Sequence, residues 1–309
     1  MSVVTEYARP REFIALAAFL MATIALAIDM MLPAMGQMAI DLELSEPARI
    51  SWVILGIFAG LIFGQLVFGP LSDAIGRRGS IQIGIAIFLI GTGVCALTDS
   101  FEVLIAGRVL QGFGGAATRI VTQAMVRDRF AGREMARVMS FVMTIFILVP
   151  IFAPMIGQVV LWFGNWQMLF VTLGGFSAII LGWFSLRQPE TLTHRRTITV
   201  SHLSEALRTV LTNEQSLRFT LAAGISFGGL VSYLSSAQHI FQDIYQTGEW
   251  FPVLLGATAA SIVISSLVNA NYVRRFGMET ICRIAFSIQI LWSAFFLILY
   301  VNGGPISLI

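Results

Sequence analysis

The chain has 309 residues, of which 57% are hydrophobic and 12% charged, with a mean hydropathy of +0.83. A soluble domain carries roughly twice that charged fraction, so the composition excludes a water-soluble core and fits a polytopic membrane protein. The net charge of +2 is small, but all nineteen basic residues are arginine and their placement along the chain is uneven.

Crossing a hydrocarbon core of about 30 Å takes about 20 apolar residues at 1.5 Å each. Nine spans follow, at approximately 12–33, 50–71, 79–98, 102–126, 138–162, 166–186, 217–240, 251–270 and 281–301. The first follows Arg9 and Arg11, but it is too long for a signal-peptide core and carries Asp29, so it reads as a retained helix. With the N-terminus inside, sixteen arginines fall on the cytoplasmic side and only Arg49 outside, while Arg108 and Arg119 lie within the fourth span. That is the positive-inside bias of a plasma or bacterial inner membrane protein. Trp52, Trp162, Trp166 and Trp250 fall at outer ends, where interfacial anchors belong. Cys95 and Cys282 lie at opposite ends of their spans and read as two free thiols.

Asp29 sits near the outer end of an otherwise apolar span. A carboxylate there costs an estimated few kcal/mol unless it faces a cavity or a partner; facing a cavity, it can exchange protons during a cycle. The bland reading is a polar residue reaching the outer interface. Between the second and third spans runs Gly69-Pro70-Leu71-Ser72-Asp73-Ala74-Ile75-Gly76-Arg77-Arg78. Arg77 and Arg78 satisfy the charge bias without a further role, whereas Asp73 opposes it; a gate contact to a helix N-terminus or to an arginine of the other half would serve.

The fourth span reads Arg108-Val109-Leu110-Gln111-Gly112-Phe113-Gly114-Gly115-Ala116-Ala117. Its small residues permit close helix contact, which leaves Arg108 and Gln111 unexplained. Arg108 comes to about the depth of Asp29, so the two are expected to meet if their helices are neighbours; a structural ion pair is the plain alternative. Arg119 lies deeper and could extend to the cytoplasmic headgroups, and it ranks below Arg108. Pro150, Pro154 and Gly157 in the fifth span predict a bent helix.

A polar stretch from Arg187 to about Leu217 follows the sixth span and holds His194 and His202. Within it Val200, Leu203, Leu207, Val210 and Leu211 recur at helical spacing, which suggests a short amphipathic linker helix. Later, Val273-Arg274-Arg275-Phe276-Gly277 follows the eighth span much as the Asp73 turn follows the second, an offset of about 200 residues that fits parallel repeats. The organisation is an N-terminal six-helix bundle over 1–186, a linker over 187–216 and a partial C-terminal bundle of about three helices over 217–309. No motif for a nucleophile elbow, a zinc protease or a Walker loop occurs, and three histidines with two cysteines do not make a metal site. Neither an enzyme, a metal nor a cofactor is implied, and nothing suggests nucleic acid.

These residues resemble the major facilitator superfamily. The Asp73 turn matches its Gly-x-Leu-Ser-Asp-x-x-Gly-Arg-Arg loop signature. Within the superfamily the chain is similar to the Bcr/CflA-type drug-resistance transporters: Asp29 four residues before Pro33, Arg108 with Gln111 and Gly112, Arg127-Asp128, and Pro150 with Ala153-Pro154 and Gly157 look like that branch's motifs. Ala153 and Gln158 depart from the broad antiporter consensus, where glycine is more usual. The resemblance implies an all-α fold, alternating access, and proton-driven export of drugs or other small amphipathic compounds. In that reading Asp29 carries the proton, Arg108 tunes its protonation beside Gln111, and the loop of Gly69, Asp73, Gly76, Arg77 and Arg78 gates the cytoplasmic side, with Asp73 docking on an eleventh helix. Two six-helix repeats would take twelve spans against the nine read here; the full-length form is expected to be a monomer, with a partner chain if the nine-span form is genuine. The alternatives are proton symport for uptake of a small metabolite, and a transport-inactive remnant or partner subunit.

Overall fold

A computed structural model of the chain describes residues 10–193, 195 and 208–303. All regular structure among them is helical. The helices are α1 (Pro10–Asp29), α2 (Met35–Asp41), α3 (Trp52–Ile75), α4 (Arg77–Leu97), α5 (Phe101–Arg129), α6 (Gly132–Phe163), α7 (Gln167–Arg187), α8 (Glu214–Gln238), α9 (Phe251–Phe276) and α10 (Met278–Gly303). All but the short α2 correspond to the nine spans read from hydropathy. His194, His202 and most of the linker helix lie outside the described residues; of its apolar positions, Val210 and Leu211 are helical and exposed.

Among the described residues seven helical stretches are long and apolar enough to cross a membrane. α5 is not one of them, and its packing explains why. It lies between α3 and α4 and contacts both along its length. Gly107, Arg108, Gln111, Gly112, Gly114, Gly115, Thr118 and Thr122 are all buried on it. A helix surrounded by protein needs small residues for close approach more than it needs apolar ones for lipid.

The close approach is built on paired glycines. A Cβ on Gly60 or Gly64 of α3 would overlap the α5 backbone at Val109 and Phe113, and one on Gly112 would overlap Ile57. On the other side, Gly84 and Gly91 of α4 meet Ala117 and Gln111, and Gly114 meets Gly84 and Phe88. α3 therefore runs parallel to α5 and α4 antiparallel to it.

Helix ends follow local chemistry. α1 stops at Asp29, and the 3-10 turn Leu32–Ala34 that follows carries Pro33, which has no N–H to continue the ladder. The predicted span to residue 33 thus ends four residues early. Gly76 takes φ +107 between α3 and α4, a conformation open to glycine and strained for other residues. Gly277 makes a similar break between α9 and α10, at φ +79. α6 is helical throughout despite Pro150 and Pro154.

Trp52, Trp162 and Trp250 are exposed as interfacial anchors should be, but Trp166 is 1% exposed, against the expectation. It stands at the start of α7 and turns inward, edge-on to Phe170 with ring centroids 6.1 Å apart.

α8 and α9 join the first six spans at one end of the bundle, the end that carries Asp29. Ser51 Oγ donates to the Ser235 carbonyl at 3.0 Å, and a Cβ on Gly256 of α9 would come 3.0 Å from the Ile151 carbonyl of α6. The buried residues described on α8 and α9 are Ser235, Ala237, Phe251, Pro252, Leu255, Gly256 and Ala259, all in the turns nearest that end. From Ser261 onward the described residues of α9 are exposed.

Candidate functional site

Six helices enclose a cavity of about 400 Å³. Ile28 and Asp29 of α1, with Leu32 of the turn after it, supply one wall, Phe58 and Leu61 the α3 wall, and Arg119 the α5 wall. Phe146 and Pro150 line it from α6; Phe227 and Tyr233 from α8; Leu255 and Thr258 from α9. The wall is mainly apolar. The Tyr233 hydroxyl and Thr258 Oγ1 lie 2.7 Å apart and tie α8 to α9, while Phe58 and Phe227 meet edge to face at 5.7 Å across α3 and α8. Such a volume suits one small molecule, held by apolar contact with few polar fixings.

Asp29 and Arg119 are the only charged residues in the described lining. Asp29 is 4% exposed and makes no hydrogen bond or ion pair among the described residues. Arg119 lays its guanidinium 5.8 Å from the centre of the Phe146 ring. Ile24 of α1 packs where a Cβ on Gly115 would stand. Counting 1.5 Å per residue outward from that contact to Asp29 and inward to Arg119 separates the two by about 13 Å along the bundle.

Arg108 does not meet Asp29. The same count puts them at about equal depth, as the sequence suggested, but they point in different directions. Arg108 is 0% exposed and turns toward α3, α4 and α7. Its Nε donates to the Val53 carbonyl at 3.0 Å and its Nη1 to Gln111 Oε1 at 2.6 Å. Gln111 Nε2 donates in turn to Thr92 Oγ1 at 2.8 Å, whose hydroxyl donates to the Phe88 carbonyl at 2.7 Å. The Phe170 ring of α7 lies 5.8 Å from the guanidinium. Arg108 and Gln111 thus form a buried polar chain behind the cavity, which they do not line. Depth is a matter of counting residues, but direction is set by neighbouring helices, and a buried cation takes the acceptors within reach.

The predicted antiporter residues also separate. Pro150 faces the cavity. Gly157 lies just past the end of α1, where a Cβ would overlap the Met30 carbonyl. Pro154 continues α6 between them. α6 therefore touches the Asp29 turn through Gly157 and α9 through Ile151.

The turn at the other end of the bundle is a network of charges. Arg77 Nη1 meets Asp73 Oδ1 at 2.6 Å and accepts no solvent role, since Arg77 is 8% exposed. Its Nε donates to Asp128 Oδ2 at 2.9 Å, and its Nη1 also donates to Ser72 Oγ at 2.7 Å. Ser72 Oγ donates to the Gly69 carbonyl at 2.8 Å. Arg78 Nη2 donates to the Ser185 carbonyl at 2.6 Å. Both arginines therefore do more than satisfy a charge bias, which corrects the sequence reading, and Asp73 pairs within its own turn. The acid of Arg127-Asp128 is the second partner of Arg77.

Two residues carry more here than the sequence reading gave them. Glu190 accepts the backbone N–H groups of Arg77 and Arg78 at 2.9 and 3.1 Å, and those of Thr191 and Leu192 at 2.9 Å each. Its one sequence signal is an acid in an arginine-rich flank. The sequence ranks Arg119 below Arg108, yet it is Arg119 that reaches the cavity. Glu12 adds a parallel tie between α1 and α7, accepting from Arg187 Nε at 2.9 Å and Trp183 Nε1 at 3.1 Å.

An all-helical bundle with a central cavity between its first six spans and a following helix pair is the architecture of a membrane transporter. The family model of the Major Facilitator Superfamily matches residues 16–309, and the chain belongs to that family. It is 30% identical to the uncharacterized MFS-type transporter YdgK of Bacillus subtilis (strain 168), over 91% of this chain and 71% of that one. It is 29% identical to the bicyclomycin resistance protein homolog of Haemophilus influenzae, over 85% of this chain and 67% of the relative. That likeness supports the Bcr/CflA-type resemblance. Among solved structures, a bacterial homolog of the human lysosomal transporter Spinster shares the fold with a TM-score of 0.67 and 16% identity, over 87% of this chain and 64% of that one.

Proposed function

We propose that this protein is a proton-coupled antiporter that exports small amphipathic compounds from the cytoplasm of a bacterial-type cell. It would reside in the inner (plasma) membrane with its N-terminus cytoplasmic. The observation that carries the reading is the carboxyl group of Asp29, which has no partner among the described residues, in the wall of an apolar cavity enclosed by helices of both parts of the chain. Its relationship to a bicyclomycin resistance homolog supports export as the direction.

In this reading residues 1–186 and 217–309 form two bundles joined by 187–216, and they rock about the cavity. Asp29 holds a proton when the cavity faces outside and yields it when substrate occupies the cavity from inside. A site that serves proton and substrate in turn couples their opposite fluxes. Arg108 and Gln111 act indirectly, by fixing α5 against α3, α4 and α7 so that the Asp29 wall keeps its shape. The Asp73 turn opens and closes the cytoplasmic end.

Everted membrane vesicles from cells expressing the chain test this. With an imposed inside-acid gradient, adding a neutral or cationic lipophilic compound should release protons from the vesicles as the compound enters. Asp29→Asn should reduce both movements to the background of vesicles lacking the protein. Equal transport by Asp29→Asn removes that residue from the mechanism. Protons and compound moving in the same direction would instead establish symport.

A further inference from the structure

Arg119 differs from the other arginines inside the bundle. Arg77 has two carboxylates, and Arg108 has a carbonyl and an amide oxygen. Among the described residues, Arg119 rests on the face of Phe146. A cation over a ring is only weakly attracted, and the ring accepts none of the five N–H donors in the way an oxygen does. The opposite charge in the lining, Asp29, is about 13 Å away along the bundle and cannot reach it. The cavity thus has an open fork of donors at one end and apolar and aromatic wall between.

We propose that Arg119 is an anion subsite of the cavity, taking the carboxylate, sulfonate or phosphate group of a lipophilic monoanion. The inference rests on reading the cavity as the transport site. A planar guanidinium matches such groups with two parallel hydrogen bonds. The apolar body of the ligand lies against Phe58, Phe146 and Phe227, reaching toward Asp29. Arg119 thereby selects for acids among compounds of equal apolar bulk. Neutral and cationic compounds that fit the cavity use the aromatic wall and leave the fork in water.

Two probes separate charge from bulk: 11-(dansylamino)undecanoic acid and its uncharged methyl ester. Binding to the purified chain in a neutral detergent is read by energy transfer from tryptophan to dansyl. The acid should bind at least tenfold more tightly than the ester. Arg119→Gln should erase that preference by weakening the acid alone, and Arg119→Lys should keep part of it. Equal affinity for acid and ester in the unaltered chain overturns the proposal, as does an equal loss of both in Arg119→Gln. Absence of binding by both probes also overturns it. The vesicle experiment uses neutral and cationic compounds, so antiport stands or fails there independently of the anion subsite.

Discussion

Glu190 holds the first two backbone N–H groups of α4 and, with them, the end of α7's following segment. Helix N-termini leave such donors without intrahelical partners, and a carboxylate at that end also meets the positive end of the helix dipole. Glu190→Ala should therefore cost about 1–3 kcal/mol and lower the melting temperature in detergent by several degrees, with Glu190→Gln in between. An unchanged melting temperature would mean that water replaces the carboxylate at no cost. At this scale the sequence was partly legible. Asp29 stood out because a carboxylate in an apolar run is expensive anywhere except at a cavity or a partner. Arg119 did not stand out from Arg108: eleven residues apart, they are about three turns apart and on nearly the same stripe of α5. What packs over the stripe decides their surroundings, α3, α4 and α7 over Arg108 and Phe146 with the cavity beside Arg119, and that is a tertiary fact.

Helices were easier to read than residues, because hydropathy reports each span without its neighbours. The small residues of the fourth span also announced close packing, and the structure shows which of them are in contact. Gly60→Ala would drive a methyl group into the α5 backbone at Val109, so it should destabilise the fold by about 1–3 kcal/mol and reduce the yield of monodisperse protein. Gly93→Ala in α4 meets nothing within 4 Å and should be neutral or stabilising, since alanine is the better helix former by about 1 kcal/mol. Size-exclusion profiles and melting curves of the two variants should differ clearly; matching profiles would show that α3 and α5 can separate freely. Where α1 ends was less legible, because Pro33 ends the helix ahead of itself and the apolar pattern continues through Met30, Met31 and Leu32.

At the scale of the molecule, the first six spans and the α8–α9 pair close at the Asp29 end, through Ser51 with Ser235 and Ile151 with Gly256. If this closure is one of two alternating states, fixing it should stop transport. Ser51→Cys with Ser235→Cys, in a chain whose Cys95 and Cys282 are replaced by alanine, should crosslink under mild oxidation. The oxidised protein should lose transport in vesicles and regain it on reduction. Full transport by the crosslinked form would mean that the contact persists through the cycle. In sequence, the polar stretch after the sixth span and the likeness of the Gly277 turn to the Asp73 turn both suggest two bundles, but where the first six spans meet α8 and α9 is set by tertiary packing that the sequence does not spell out.

The character of α5 bears on how the protein is made. Arg108 and Arg119 each carry a penalty of about 2.5–3.5 kcal/mol at the centre of a lone inserting helix, and the glycines beside them contribute little apolar surface in return. Such a segment is a poor candidate for entering the bilayer unaided. The acceptors that suit Arg108, the Val53 carbonyl and the Thr92 hydroxyl reached through Gln111, belong to α3 and α4, which leave the ribosome first. The groove that makes α5 tolerable in lipid is therefore synthesised before the helix that fills it, and the order of the genetic message doubles as an order of assembly.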